Sequence, residues 1–180
     1  MPDPMPSHST AAITIRPWQE TDSVSELTAL LHRAYARLAA MGLRYMATHQ
    51  GDEVTRQRIA EGECFIALLE GRICGTIVVK GSDKTKGCPW YDRPGVASLG
   101  QFAVEPELQS NGLGRRLITM AEQQAAAAGA SEIALDTAEP ATHLVGWYTR
   151  LGYRFVEYAQ WTHTNYRSVI LSKPLVAGPN

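Results

Sequence analysis

Residues 98–118 read SLGQFAVEPELQSNGLGRRLI, and this stretch is the most informative part of the chain. An apolar, strand-like run ends at Pro106, Gly112 and Gly114 follow, and a strongly helical sequence begins directly after them. Two glycines between a strand and a helix let the backbone come close to a bulky anion. The free amides and the dipole at the start of the helix favour such an anion. The stretch therefore predicts a phosphate cradle.

The spacing of these glycines excludes the two commonest nucleotide-binding loops. A P-loop requires G-x-x-x-x-G-K-[ST], and no Lys-Ser or Lys-Thr follows the glycines here. A dinucleotide-binding fingerprint requires a third glycine or alanine three residues after the second, where this chain has Leu117. Because a glycine pair alone is often only part of a turn, the interpretation depends on the longer pattern around it.

That longer pattern resembles the signature of the GNAT superfamily of acyl-CoA-dependent N-acetyltransferases. In this family a hydrophobic strand, Val-x-Pro, two residues and [Arg/Gln]-x-x-Gly-x-[Gly/Ala] lead into a helix, and residues 102–114 of this chain read FAVEPELQSNGLG. Ser110 departs from the pattern, since many members have glycine there, but serine is able to cap a helix start. The resemblance implies that the anion is the pyrophosphate of coenzyme A and that acetyl-CoA is the co-substrate.

The resemblance also implies how the cofactor would be held. The backbone amides of 109–114 would bind the pyrophosphate, and Arg115 would contact a phosphate unless it is only a solvated helix residue. The preceding strand would pair with the pantetheine arm at Phe102 and Val104, and a bulge near Val104 would free a backbone amide for the oxyanion. The implied cofactor-binding residues are Phe102, Ala103, Val104, Gln109, Ser110, Asn111, Gly112, Leu113, Gly114 and Arg115.

A second segment bears on the acid of the reaction. Residues 147–153 read WYTRLGY and resemble the family's Tyr-x-x-x-Gly-[Phe/Tyr] sequence. The resemblance implies that the Tyr148 hydroxyl lies at the thioester sulfur and acts as general acid when the thiolate leaves. A core tyrosine on a short helix is the alternative interpretation.

The general base is left open. Some family members have a glutamate early on the fourth strand, where this chain has Ser98. Glu105, beside the cradle, is a weak candidate base, and the other candidates are Tyr91, Asp92 and His163. No histidine pair has metal-ligand spacing, so no metal is predicted. No Ser-His-Asp or Cys-His set suggests an acyl-enzyme, so direct attack in a ternary complex is expected.

Composition and length set further limits. The 180 residues predict one domain at 12–174, a flexible N-terminal lead-in at 1–11 and a C-terminal tail at 175–180. The formal net charge of −1 argues against a nucleic-acid partner, and no apolar run is long enough for a membrane span. Three cysteines without C-x-x-C spacing are typical of a reducing, cytoplasmic compartment.

Hydrophobic periodicity predicts the order of the elements. Residues 12–18 alternate like a strand, Ser23 and Glu26 fit a capping box for a helix, and a hairpin surrounds 70–72. The strand, helix and strand within 96–137 form a right-handed crossover, which predicts a parallel pair. The fold class is therefore α/β (α+β): a GNAT-like mixed, mostly antiparallel sheet of six to seven strands with one central parallel pair and helices on both faces.

These observations lead to one expected function and several alternatives. We expect an N-acetyltransferase that moves the acetyl group of acetyl-CoA to a primary amine of a small molecule. The alternatives are a non-catalytic acyl-CoA-binding sensor or scaffold, a peptide or protein N-acetyltransferase, and, with least support, a nucleotide-binding domain. Whether the chain acts alone or as a homodimer is left open.

Overall fold

A computed structural model describes residues 12–176. The predicted lead-in at 1–11 and residues 177–180 of the predicted tail lie outside the described residues. The helices and strands are β1 (Thr14–Pro17), α1 (Val24–Ala34), α2 (Ala36–Ala40), α3 (Asp52–Ala60), β2 (Glu63–Leu69), β3 (Arg72–Lys80), β4 (Val96–Val104), α4 (Leu113–Ala127), β5 (Glu132–Ala138), α5 (Thr142–Arg150), β6 (Arg154–Ala159) and β7 (Ser168–Pro174). Short 3₁₀ turns cover Met46–Thr48 and Pro106–Leu108.

The seven strands form one sheet in the order β1-β2-β3-β4-β5-β7-β6. Strands β4 and β5, which flank the α4 crossover, pair in parallel, and every other neighbouring pair is antiparallel. A strand and a parallel neighbour need a crossover of this length, whereas the other strands are joined by hairpins or longer loops. The predicted fold class, including its central parallel pair, is confirmed.

Helices cover both faces of the sheet. Side chains alternate along each strand, so apolar residues project from both faces. On one face, Leu113, Leu117 and Ile118 of α4 pack with apolar residues of β3, β4 and β5. On the other face, Leu27 and Leu31 of α1 pack against the opposite side of β2 and β3. Burying each such leucine contributes roughly 2 kcal/mol, so the two helices fix the sheet from both sides.

The start and the end of α1 depend on single side chains. The Ser23 hydroxyl accepts the Glu26 amide at 3.1 Å, which confirms the predicted cap. The reciprocal contact of a capping box is absent, because Glu26 Oε1 accepts the Ile73 amide at 2.8 Å instead. The helix ends at Ala34, because Tyr35 has φ −96° and ψ 3°, and α2 begins at the next residue.

The parallel pair is short, and the two strands separate at its end. Pairing extends only from Val96↔Glu132 to Ser98↔Ala134. On its other edge β4 contains a bulge, since Val78 pairs with Gly100 but Thr76 pairs with Ala103. The bulge begins at Gln101, which has a left-handed φ of +45°. The bulge therefore lies at Gln101 and Phe102, earlier in β4 than the position near Val104 that the resemblance implied, and pairing with β5 has already ended at Ser98.

Three observations bear on compartment and cofactors. Cys64, Cys74 and Cys88 are free and buried. None of the helices within residues 12–176 combines the length and the apolar character that crossing a membrane would require. Within the same range, no group of three or more His, Cys, Asp or Glu side chains is arranged to hold a metal ion.

Candidate active site

A cavity of about 580 Å³ lies between the diverging ends of β4 and β5. Its walls are residues 99–104 of β4, residues 135–137 of β5, the loop and first turn of α4, one side of α5, and the 34–47 segment above the sheet. The cavity therefore extends from the predicted cradle, through the gap that the separated strands leave, to the 34–47 segment.

The cradle is formed by left-handed backbone at two positions. Gly112 is the N-cap of α4 with φ +80°, and no side chain caps the helix. Ser110 has φ +77°, a conformation that costs an L-residue roughly 1–2 kcal/mol. The expectation that Ser110 caps the helix is wrong, because Gly112 occupies that position. The left-handed φ also explains why glycine suits position 110.

The uncapped helix leaves a row of amides without acceptors. The amides of Gln109 and Asn111 turn back to the carbonyls of Pro106 and Leu108, both at 3.3 Å, so these two predicted donors are used within the turn. Five amides have no hydrogen-bond acceptor among the described residues: those of Ser110, Gly112, Leu113, Gly114 and Arg115. Such a set of converging donors fits the pyrophosphate that the resemblance implied.

The other predicted cofactor-binding residues divide into two groups. Phe102, Ala103 and Val104 line the cavity, as do most residues of the cradle, whereas Asn111 does not and Leu113 is buried in the core. The Phe102 carbonyl accepts the Tyr35 hydroxyl at 2.9 Å. The Val104 carbonyl accepts Gln109 Nε2 at 3.2 Å. Pantetheine pairing at these carbonyls, which stays a prediction, must share or displace those two side chains.

Tyr148 lies on the wall of the cavity, in α5. Its ring is buried between Trp147 and Tyr153, with edge contacts at centroid distances of 5.1 and 6.0 Å. Its hydroxyl makes no hydrogen bond to any described residue and is not sealed from solvent. Burial raises the pKa of Tyr148 well above its usual value. The phenol therefore stays protonated at neutral pH and is free to donate a hydrogen bond into the cavity.

Asp136 is a cavity residue that the sequence analysis missed. It is exposed to the cavity from β5, where Oδ1 accepts the Tyr91 hydroxyl at 2.7 Å and Oδ2 accepts Trp161 Nε1 at 3.1 Å. The two aromatic rings stack on each other with centroids 6.0 Å apart. The available signal was a single charged residue inside the apolar run IALDTA at 133–138.

The candidate bases named from the sequence lie in less favourable places. Glu105 makes two hydrogen bonds to Arg33, at 2.9 and 2.7 Å, does not line the cavity, and has its pKa lowered by that guanidinium. Asp92 accepts the Gly87 amide outside the cavity. Tyr91 lies behind Asp136, and only His163 lines the cavity itself. Ser98 is buried against Thr85 and supplies no carboxylate.

Comparison with known proteins identifies the family. Residues 26–153, well over half of the chain, match the model of the acetyltransferase (GNAT) family. The chain belongs to this family. Among curated proteins, the S-(2-succino)cysteine N-acetyltransferase of Bacillus subtilis (strain 168) is 29% identical over 133 residues, which cover 71% of this chain and 76% of that protein.

Solved structures agree with the fold. The ribosomal-protein-S18-alanine N-acetyltransferase from Escherichia coli has a TM-score of 0.69 at 18% identity, covering 94% of this chain and 98% of its own. A GNAT family acetyltransferase from Elizabethkingia anophelis with acetyl-CoA bound has a TM-score of 0.64 at 18% identity, covering 91% and 98%. Family membership makes this protein an acyl-CoA-dependent N-acetyltransferase with acetyl-CoA as its co-substrate, as the sequence predicted.

Proposed function

We propose that the protein transfers the acetyl group of acetyl-CoA to the primary amine of a small molecule by direct attack in a ternary complex. The observation that carries this proposal is the single cavity that contains the free amides of α4, the Tyr148 hydroxyl and the Asp136 carboxylate. The curated relative supports a small acceptor, since its name describes acetylation of a cysteine derivative. The protein acceptor in the name of the Escherichia coli structure is the alternative.

Asp136 is the base in this proposal, in place of Glu105. Its carboxylate reaches the cavity from β5, two residues past the last residue that pairs with β4. Tyr91 and Trp161 hold it through neutral donors, so no cation competes for its negative charge. The neutral form of an amine bound at this carboxylate attacks the acetyl carbonyl, and the carboxylate accepts the proton that the nitrogen loses as the amide forms. Coenzyme A leaves as the thiolate and takes its proton from solvent.

Tyr148 stabilises the leaving group. Tyr148 lies on the cavity wall, and the Trp147 ring that it contacts also stacks on Phe102, with centroids 6.0 Å apart. Because the pKa of Tyr148 is raised, complete proton transfer to a thiolate is unfavourable, and its contribution is a hydrogen bond to the sulfur as negative charge develops. We assign the oxyanion donor to the bulge of β4, at Gln101 or Phe102, whose backbone groups lie outside the regular β3–β4 pairing.

The experiment that tests the proposal is thiol release from acetyl-CoA in the presence of a panel of small amines and short peptides. Turnover with a small amine, and slower turnover with peptides, is the expected result. Acetyl-CoA binding measured by calorimetry without turnover across the whole panel would support a sensor or scaffold instead. Faster turnover with peptides would favour the peptide or protein acceptor.

The compartment and the assembly belong to the same proposal. We propose a reducing, cytoplasmic environment, which the three free cysteines support. The homodimer stays a prediction, and light scattering of the purified chain with and without acetyl-CoA decides it.

A further inference from the structure

The cavity wall carries a cation without a carboxylate partner. Arg58 of α3 lines the cavity, and its Nη1 donates to Gln50 Oε1 at 2.7 Å. No carboxylate within residues 12–176 comes within salt-bridge distance of its guanidinium. Its Nη2 lies 3.9 Å from the point that a Cβ on Gly100 would occupy, so the guanidinium stands over β4 at this residue. A half-buried cation held only by a neutral amide retains donors for an incoming anion.

Arg58 also determines how the side-chain amides of Gln50 and Gln101 are oriented. A guanidinium can only donate, so Gln50 must present Oε1 to Arg58 and its Nε2 to Thr55 and Gln101, at 2.8 and 3.0 Å. Gln101 must then present Oε1 to Gln50. Its own Nε2 is left buried without an acceptor, although Gln101 is 98% buried and lines the cavity. The side chains of Arg58 and Gln101 therefore offer donors to this region of the wall.

The Asp136 carboxylate stands opposite this donor wall. Positions 100 and 136 are each two residues past the last parallel pair, Ser98↔Ala134. They share one face of the sheet, because Leu99 and Leu135 both project into the core on the other face. Position 100 carries the guanidinium above it, and position 136 carries the carboxylate. The two charged groups therefore lie equally far along β4 and β5 from the last parallel pair. They do not form a salt bridge with each other.

Neutral partners hold the two charges apart. Gln50 orients Arg58, while Tyr91 and Trp161 orient Asp136. Burial is the main cause of the raised pKa values of Tyr35 and Tyr166. Both charges also act on these two tyrosines, since Arg58 lowers their pKa values and Asp136 raises them. An unpaired cation and an unpaired anion in one enclosed space are complementary to a ligand that carries both opposite charges.

From this arrangement we infer that the acceptor is a free α-amino acid, with its carboxylate on Arg58 and its amine on Asp136. The inference rests on the proposed function and adds the substrate class. The Nε2 of Gln101 supplies a second donor to the carboxylate after a small shift of its side chain. A simple amine or a peptide N-terminus brings no carboxylate next to its amine, so either would leave the guanidinium without its anion. Arg58 is thus a specificity-determining residue.

The test compares free amino acids with their α-amides. Leucine, phenylalanine, glutamate and S-carboxymethylcysteine are each assayed beside the corresponding α-amide, with thiol release from acetyl-CoA as the measurement. The amide keeps the size and loses the negative charge, and its less basic amine is the more reactive at neutral pH. We expect kcat/KM for the preferred amino acid to exceed that of its amide by roughly 10- to 100-fold, the range of charge-assisted hydrogen bonds.

Two substitutions of Arg58 and one control substitution test the role of its charge. Arg58→Met removes the charge at similar volume and should abolish the preference for the acid, mainly through KM of the acceptor, while Arg58→Lys should retain part of it. Arg56→Met is the matched control on the same helix, because Arg56 is exposed and, among the described residues, its side chain hydrogen-bonds only to Glu53. The control should keep the preference. Equal rates with acids and amides, or an unchanged preference in Arg58→Met, would overturn the inference.

A binding measurement separates this inference from the proposed function. Calorimetry with the same acids and amides, on protein saturated with coenzyme A, requires no turnover. Tighter binding of the acids, lost in Arg58→Met and kept in Arg56→Met, supports the carboxylate site even where thiol release is absent and the proposed function fails. Equal binding of acid and amide contradicts the site whether or not the protein is active.

Discussion

The Tyr91 hydroxyl lies 2.7 Å from Oδ1 of Asp136 and thereby joins the 81–95 loop to strand β5. The sequence analysis had named Tyr91 only as a candidate base. The structure shows it buried behind Asp136, where it orients the carboxylate that reaches the cavity. The long loop therefore contributes to the site through a hydrogen bond from a residue that does not itself line it.

The first prediction concerns the base. Asp136→Asn should lower kcat/KM by roughly 10²- to 10⁴-fold, because the amide keeps the shape of the side chain and cannot accept the amine proton. Steady-state thiol release over a range of acceptor concentrations checks it, and circular dichroism confirms folding. Glu105→Gln is the control, since it breaks an exposed ion pair worth about 1 kcal/mol or less, outside the cavity. A loss in the control as large as in Asp136→Asn would restore Glu105 as the base.

The second prediction concerns the acid. Tyr148→Phe should lower kcat about a hundredfold and leave acetyl-CoA affinity by calorimetry nearly unchanged. Because the pKa of Tyr148 is raised well above its usual value, its hydroxyl stays protonated, and the wild-type rate should not fall through its ionisation below about pH 9. A decline in rate on the alkaline side below that pH, absent in Tyr148→Phe, would contradict this assignment.

The third prediction concerns the cradle. Gly112→Glu should abolish binding of coenzyme A, because the new carboxylate repels the pyrophosphate and competes for the same amides. The left-handed φ at this position should also lower the free energy of unfolding by roughly 1–2 kcal/mol. Calorimetric titration with coenzyme A and chemical denaturation measure the two effects.

A matched glycine at the other end of α4 separates strain from binding. Gly129 also has a left-handed φ, of +92°, and like Gly112 has open space where a Cβ would lie. Gly129→Glu should show a similar loss of stability and bind coenzyme A normally. Unchanged affinity in Gly112→Glu would remove the basis for the pyrophosphate assignment.

The fourth prediction concerns the cysteines. Burial raises the pKa of Cys64 to about 11 and that of Cys88 to about 11, and it also raises the pKa of Cys74. A raised thiol pKa keeps the sulfur protonated at pH values below it, and the thiolate is the reactive form. At about pH 8, Ellman's reagent should therefore titrate all three thiols only after denaturation. Rapid titration of one thiol in the native protein would identify a reactive cysteine that the structure does not indicate.

Local sequence determined the cradle, the order of the elements and Tyr148. Each of these depends on residues close together in the chain, such as a strand, a glycine pair and a helix start, so pattern and resemblance were sufficient to predict them. Sequence patterns did not predict which backbone amides of the cradle are free to donate. Whether Gln109 turns inward, and whether Ser110 or Gly112 is the N-cap, depends on backbone dihedral angles that residue types do not specify.

The two charges of the proposed acceptor site were decided by tertiary structure alone. Asp136 is one carboxylate in an apolar strand, and Arg58 is one of several charged residues on the mostly polar helix α3. Their relation depends on where pairing between β4 and β5 ends and on which face Leu99 and Leu135 leave free. Gln50, Tyr91 and Trp161, which orient the two charges, come from three separate segments of the chain. Long-range packing, and not spacing along the chain, therefore brought these charged side chains to one cavity.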